Sequence, residues 1–355
     1  MNIKSLLLGS AAALAVVSGA QAADAIVAAE PEPMEYVRVC DAFGTGYFYI
    51  PGTETCLKLS GYVRTQVDYR GETDFRDDGY RTNSRAYLEF DAKSDTEFGT
   101  LGGYVALEAD SRDDRGSSDD VGGMFLDTAM ITIGGLEVGY FYNYWDEGLN
   151  GETDLFDGGP YSQIGSAGYI GGNTLNDTIR YTYTSDAFSI GGAVSSFDSD
   201  TGWKTDGDND IGIEAKIAAT FGGVNVSVNG GYDLGTEDGA VRAMLTADLG
   251  PGTLGLAGVY SSGASRYWDF SEWSIAGSYA FKATERLTIT PGAQYWDSIN
   301  YDTDGDYFGP SAWRAGLTVD YKIADGLATK ASVQYTDVDE ADSGWDAFLR
   351  LQRSF

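Results

Sequence analysis

The sequence of 355 residues predicts an all-β fold, a sixteen-stranded antiparallel transmembrane β-barrel, and three observations carry that reading. The composition sets 48 Gly and 24 Tyr against only 7 Pro, a balance suited to strands joined by tight turns. From Leu57 onward apolar and polar residues alternate with a period of two, which sends successive side chains to opposite faces of a strand. The connections between these segments alternate between short and long, as in an up-and-down barrel whose ends face different compartments. The same counts exclude other classes. With no His there is no Ser-His-Asp or Cys-His catalysis and no His-ligated metal. A formal charge of -31 argues against a nucleic-acid partner, and 13% aromatics within a 43% hydrophobic share argue against disorder.

Residues 1–22 read as an export signal. Lys4 is the positive start, residues 6–17 the apolar run, and Ala20-Gln21-Ala22 the small-x-small cleavage site. The run is too short for a spanning helix, which needs about 20 residues. Residues 23–56 then form an N-terminal periplasmic segment holding the only cysteines, Cys40 and Cys56. In an exported chain the two can oxidise, and closing a loop of this size is worth about 3 kcal/mol. Two free thiols are the alternative, and a metal pair lacks further ligands nearby.

Residues 57–355 are the barrel. In its first segment Leu57, Leu59, Val63 and Val67 lie on one face, and Lys58, Arg64, Gln66 and Asp68 on the other. Sixteen such segments succeed one another, at 57–70, 81–93, 101–110, 128–133, 136–142, 178–184, 188–196 and 211–221, then 224–232, 241–249, 253–260, 273–281, 287–296, 313–321, 327–335 and 345–355. Gly134-Gly135, Gly222-Gly223 and Gly250-Pro251-Gly252 are among the tight turns. The intervening loops, such as 111–127, 143–177, 197–210 and 261–272, are long, acidic and Gly-rich. Short turns at one end and long loops at the other match an outer-membrane barrel. A soluble sandwich would show the same alternation, so three further features decide. Aromatics such as Tyr140, Tyr183, Trp273, Trp313 and Tyr321 sit near the ends of the apolar faces, where membrane girdles belong. The last segment ends in Phe355 behind Leu351, Leu349 and Ala347, with Arg353 the one charge of apolar parity. The polar faces carry Arg, Glu, Asp, Gln and Thr with few large apolar groups, which suits a water-filled lumen and not a packed core.

The opening Met1-Asn2-Ile3-Lys4-Ser5-Leu6-Leu7-Leu8-Gly9-Ser10 is one of four stretches that point to a family. The others are Glu35-Tyr36-Val37-Arg38-Val39-Cys40-Asp41, Gly46-Tyr47-Phe48-Tyr49-Ile50-Pro51-Gly52-Thr53-Glu54-Thr55-Cys56 and the ending Gln352-Arg353-Ser354-Phe355. These resemble the alphaproteobacterial porin family, sharply at the two ends and more diffusely between. The resemblance implies a trimeric, sixteen-stranded general-diffusion channel of the Gram-negative outer membrane, with the third long loop folded into the lumen. It also makes Arg353 a family-typical variant.

The expected mechanism is passive diffusion, with selectivity set by pore radius and lining charge. The constriction loop is placed at about 143–177, in the family's position. It carries Asp146, Glu147, Glu152, Asp154 and Asp157, contains no Lys or Arg, and has apolar anchors such as Leu149, Phe156 and Ile164. Opposite it, Lys58, Arg64, Arg70, Arg81, Arg85 and Lys93 on the first two strands and Arg314, Lys330 and Arg350 on the last three form one basic wall once the barrel closes. Arg64, Arg85, Arg314 and Arg350 are expected nearest mid-strand; Arg180, Lys216 and Arg242 are scattered singles. Acidic loop and basic wall would set up a transverse field across the narrowest section, with modest cation preference. Membrane lipid and lipopolysaccharide surround the barrel; small hydrophilic solutes and ions pass through it.

No cofactor or metal is expected. The strings Asp302-x-Asp304-Gly305-Asp306 and Asp206-Gly207-Asp208-Asn209-Asp210 lack the Gly and Glu positions of an EF-hand, although such loops could hold Ca²⁺ loosely. Pairs such as Asp113-Asp114 sit in a polar loop without a pocket to raise one pKa, so no enzyme is read. Two alternatives stand beside the general channel. A sugar-specific channel needs an aromatic track, and inward Tyr62, Tyr87, Tyr104, Phe141 and Trp296 read as few and dispersed. A surface adhesin would display its variable loops and pass no solute.

Overall fold

Long runs of alternating residues can satisfy every backbone group across a membrane only if the sheet they form closes on itself. A computed structural model describes residues 38–72, 78–111, 123–151, 175–197, 210–341 and 343–355. The chain divides at Arg38, and the barrel belongs to the unit Val39–Phe355. The expected signal, most of the N-terminal segment before Cys40, and Glu152, Asp154 and Asp157 lie outside the described residues.

Sixteen antiparallel strands make the wall: β1 (Cys56–Arg70), β2 (Gly79–Thr96), β3 (Gly99–Asp110), β4 (Met124–Ile133), β5 (Leu136–Tyr142), β6 (Leu175–Thr184), β7 (Phe188–Ser196) and β8 (Ile211–Phe221). They continue as β9 (Val224–Asp233), β10 (Asp238–Leu249), β11 (Gly252–Ser261), β12 (Trp273–Lys282), β13 (Leu287–Asp297), β14 (Ala312–Ala324), β15 (Leu327–Val338) and β16 (Gly344–Ser354). Each pairs with its neighbours in sequence, and β16 returns to β1 with Leu349 opposite Val67, so the barrel is closed. At the seam Gly61 and Phe355 exchange backbone hydrogen bonds of 3.1 and 3.0 Å. Gly61 is required by close approach, because a Cβ there would lie 2.1 Å from the Tyr87 carbonyl oxygen. Tight turns close one end of the barrel, and Gly134 and Gly222 supply the positive φ, 58° and 63°, that two-residue hairpins need.

Several strands begin earlier than the alternation alone predicts: β4 at Met124, β6 at Leu175 and β10 at Asp238, all toward the long-loop end. Ladder hydrogen bonds join backbone to backbone, so pairing continues past the point where the side chains stop alternating.

Exposure settles which face is outside. Leu59, Val63, Ile217, Ile275 and Leu349 are between 49% and 57% exposed, whereas their polar neighbours Gln66, Asp68, Glu214 and Gln294 are buried. Apolar surface on this scale would be a liability in water and is the expected exterior in hydrocarbon. Aromatic rings band this exterior. At the long-loop end Tyr69–Tyr80, Trp273–Tyr295, Trp313–Tyr335 and Tyr335–Trp345 pack with centroids 5.0–5.5 Å apart. Tyr183 and Phe188 pack similarly at the turn end.

Cys40 and Cys56 form a disulfide, Cα–Cα 6.0 Å, which pins residues 40–55 to the start of β1. Phe48–Tyr49 pairs with Leu57 and Cys56, and the buried Tyr47 hydroxyl sits between Asp91 and Lys93, accepting from Lys93 Nζ at 2.9 Å.

Candidate functional site

The inward faces divide the interior into two unlike sides. From β10 to β15 the inward parity carries Met244, Val259, Trp296 and Val338, which join Trp145, Tyr267 and Trp268 from the loops in one buried apolar cluster. This corrects the expectation of few large apolar groups inside. The alternation hides the cluster because its members are spaced singly among polar neighbours on six strands and meet only where two loops come to pack on them.

The first of those loops leaves β5 as residues 143–151 and runs along the wall of β8 to β15. Glu147 is ion-paired with Lys216 on β8. Arg242 on β10, fully buried, donates to the carbonyls of Tyr144, Trp145 and Glu147 at 2.9, 2.8 and 3.0 Å and to Asn229 Oδ1 at 3.0 Å. Arg180 on β6 lies over the Tyr144 ring at 5.0 Å and pairs with Glu137 at 2.6 Å. Leu149 is buried against Gly255 on β11, where a Cβ would lie 3.1 Å from its Cδ2. Farther on, Gly151 reaches β15, where Lys330 Nζ donates to its carbonyl at 3.3 Å. The three cations that read as scattered singles, Arg180, Lys216 and Arg242, thus converge on one loop. Leu149, an apolar residue in an otherwise acidic stretch, was the available signal.

Residues 262–272 are the second loop. Tyr267 packs against Phe197 at 5.2 Å and Trp145 at 6.1 Å, and Gly231 leaves room for its ring. Arg266, 1% exposed, holds the loop to Asp210 at 2.9 Å and Asp233 at 3.3 Å.

The other side, β16 with β1 to β4 and the turn-proximal ends of β14 and β15, is the charged one. Arg64 and Arg85 are directly opposite each other on β1 and β2. Arg85 binds Glu108 and Asp110 at 2.6 and 2.8 Å, Arg81 lies 3.6 Å from Asp68, and Lys93 lies 2.9 Å from Asp91. Arg350 donates to Gln66, Lys330 lies 3.5 Å from Asp320, and Lys58 stands over the Tyr47 ring at 6.0 Å. The wall is therefore an interleaved lattice of both signs. Arg314 differs from its expected place: it is the third residue of β14, fully buried, over Trp296 at 5.5 Å and donating to Thr336 at 2.7 Å. Of the loop acids, Glu147 meets Lys216, away from the charged side. Asp146 keeps contact with solvent, yet burial of its surroundings and the carboxylates of Asp127 and Glu147 push its pKa up to about 6, against the pull of Arg242. The Asp302 carboxylate is occupied in its own turn by the amides of Asp304 and Asp306, at 2.9 and 3.1 Å.

A family model described as the porin subfamily matches residues 24–352. The chain is 46% identical, over all of its length and 99% of the relative's, to a putative outer membrane protein, y4fJ, of Sinorhizobium fredii. It is 34% identical over the full length of both chains to the porin Omp2a of Brucella suis. Among solved structures the outer membrane channel DcaP of Acinetobacter baumannii superposes with a TM-score of 0.67 at 14% identity, over 86% of this chain and 99% of that one. That likeness is one of fold.

Proposed function

The chain belongs to the porin family, and from that premise we propose that it carries small hydrophilic solutes and ions passively across the outer membrane, with a modest preference for cations. One observation carries the reading. The charged lattice of β16 and β1 to β4 faces the inside of a closed cylinder whose outside is apolar, and Arg64, Arg81 and Arg85 remain half-exposed there. Charges so placed need water, and water continuous along that side is a conduit.

The loop from residue 143 onward is the proposed constriction. Its first nine residues already lean on β8 to β15, which confines the conduit to the charged side and leaves Asp146 beside it. With Asp146 beside Asp127 of an evenly mixed wall, the balance tips toward cations. A homotrimer is the proposed assembly. Thr65 and Ser84, hydrogen-bonded at 2.9 Å on the outward face of β1 and β2, suit a subunit contact better than hydrocarbon.

The test is a reversal potential across a planar bilayer in a KCl gradient. Cation preference is expected, and replacing Asp146, Glu147 and Asp154 together by Asn should lower it. An anion-selective wild-type channel, or a triple variant with unchanged selectivity, would overturn the charge assignment. Liposomes that fail to swell in small sugars would instead favour a surface-displayed barrel without a pore.

A further inference from the structure

Register brings together inward tyrosines that the sequence spaces widely. Tyr62 and Tyr87 face each other across β1 and β2 with centroids 5.1 Å apart and planes 12° from parallel. The Tyr87 hydroxyl donates to Asp127 on β4 at 2.7 Å, two strands away. Neighbouring strands lie about 4.8 Å apart, so the Tyr87 side chain reaches over β3 along the wall, with one face of its ring against Tyr62. Tyr104 on β3 donates to Glu89 at 2.6 Å, and Tyr142 at the end of β5 donates to the second oxygen of Asp127 at 2.6 Å. All four tyrosines are half-buried. Beside them Arg64 stands over the Tyr62 ring at 5.5 Å, and Arg85 is fixed by Glu108 and Asp110. The expectation that the inward aromatics are dispersed is corrected for Tyr62, Tyr87 and Tyr104. It holds for Phe141 and Trp296, which are buried under Arg180 and Arg314.

We propose that this shelf is a binding subsite for sugars, that is, for neutral solutes with a C–H face and a rim of hydroxyls; the proposal rests on the reading of the chain as a channel. Aromatic faces take the apolar face of such a ring. Asp127 is buried and taken up by Tyr87, Tyr142 and Thr128, so it fixes the rings. Half-exposed Glu89 accepts from Tyr104 and Ser60 and, with about four acceptor positions, keeps some for sugar hydroxyls. The phenol hydrogen bonds fix the carboxylates and rings in advance, so little ordering remains to be done on binding. A solute without hydroxyls leaves these acceptors unmatched and gains nothing from the shelf.

Single-channel recording in KCl with added raffinose tests this, with polyethylene glycol of matched hydrodynamic size as the reference. Raffinose should reduce the current saturably and more than the polymer does. Tyr87→Ala should raise the half-blocking concentration about tenfold, equivalent to about 1.4 kcal/mol. Intact KCl conductance in the variant shows that the barrel has formed. If Tyr87→Ala does not insert, Tyr62→Leu, which leaves every phenol–carboxylate hydrogen bond of the shelf in place, decides with the same readout. Raffinose block that is linear in concentration, equal to that of the polymer, or equal in wild type and variant overturns the subsite while leaving the channel standing. Absence of KCl conductance in the wild type overturns the channel itself.

Discussion

Arg242 is the tether whose removal should be felt most. It is fully buried and holds three carbonyls of the loop, those of Tyr144, Trp145 and Glu147, at 2.8–3.0 Å. Arg242→Met keeps the aliphatic stem beside Trp145 and deletes every one of these donors. Hydrogen bonds to a charged group contribute about 1.5–3 kcal/mol each. Taking the low end for three, docking of the loop weakens by about 4.5 kcal/mol, roughly three decades in the ratio of docked to released. Released, residues 143–151 would fluctuate in the conduit and meet proteases. The prediction is increased open-channel current noise in bilayer recordings, together with new cleavage in this segment when the folded barrel is treated with protease. Noise and cleavage patterns identical to those of the wild type would refute the reasoning, because the docking would then be carried by packing alone.

Two further predictions concern the loop and the N-terminal clasp. Cation preference should be greatest above pH 7 and decline as pH falls through about 6, because Asp146, whose pKa is raised, becomes neutral there; Asp146→Asn should abolish the step in reversal potential. The sign for stability is the opposite of that for a salt-bridged acid. The folded chain holds this proton more tightly than the unfolded one, so the contribution is present at low pH and lost as pH rises through 6. Reduction of the Cys40–Cys56 bond, or Cys40→Ser with Cys56→Ser, should cost about 3 kcal/mol, read as a lower midpoint of heat denaturation with dithiothreitol than without.

The strands were legible because alternation is a local property. Leu59, Val63 and Val67 point out whatever else the chain does. The inside was legible only in part, because there the decisive neighbours come from other strands and from the path of a loop. Nothing in the local sequence around Lys216 or Arg242 says that a loop from β5 will pass over them. Tyr87 and Asp127 are forty positions apart, and only the register across β2, β3 and β4 lets the phenol reach the acid. The basic residues of the wall lie among acids for a similar reason. Asp68, Asp91, Glu108 and Asp110 share the inward parity with the arginines, and pairing set them side by side.

The bonds between Gly61 and Phe355 make the final ladder a joint between the two extremes of the sheet. Until β16 meets β1, every partly assembled sheet exposes two raw margins to whatever surrounds it, and hydrocarbon offers those amides no partner. Assembly is thus bound to finish in one late event rather than by steady accretion. Damage near either margin should stall maturation of the whole cylinder, whereas a longer hairpin elsewhere would scarcely slow it.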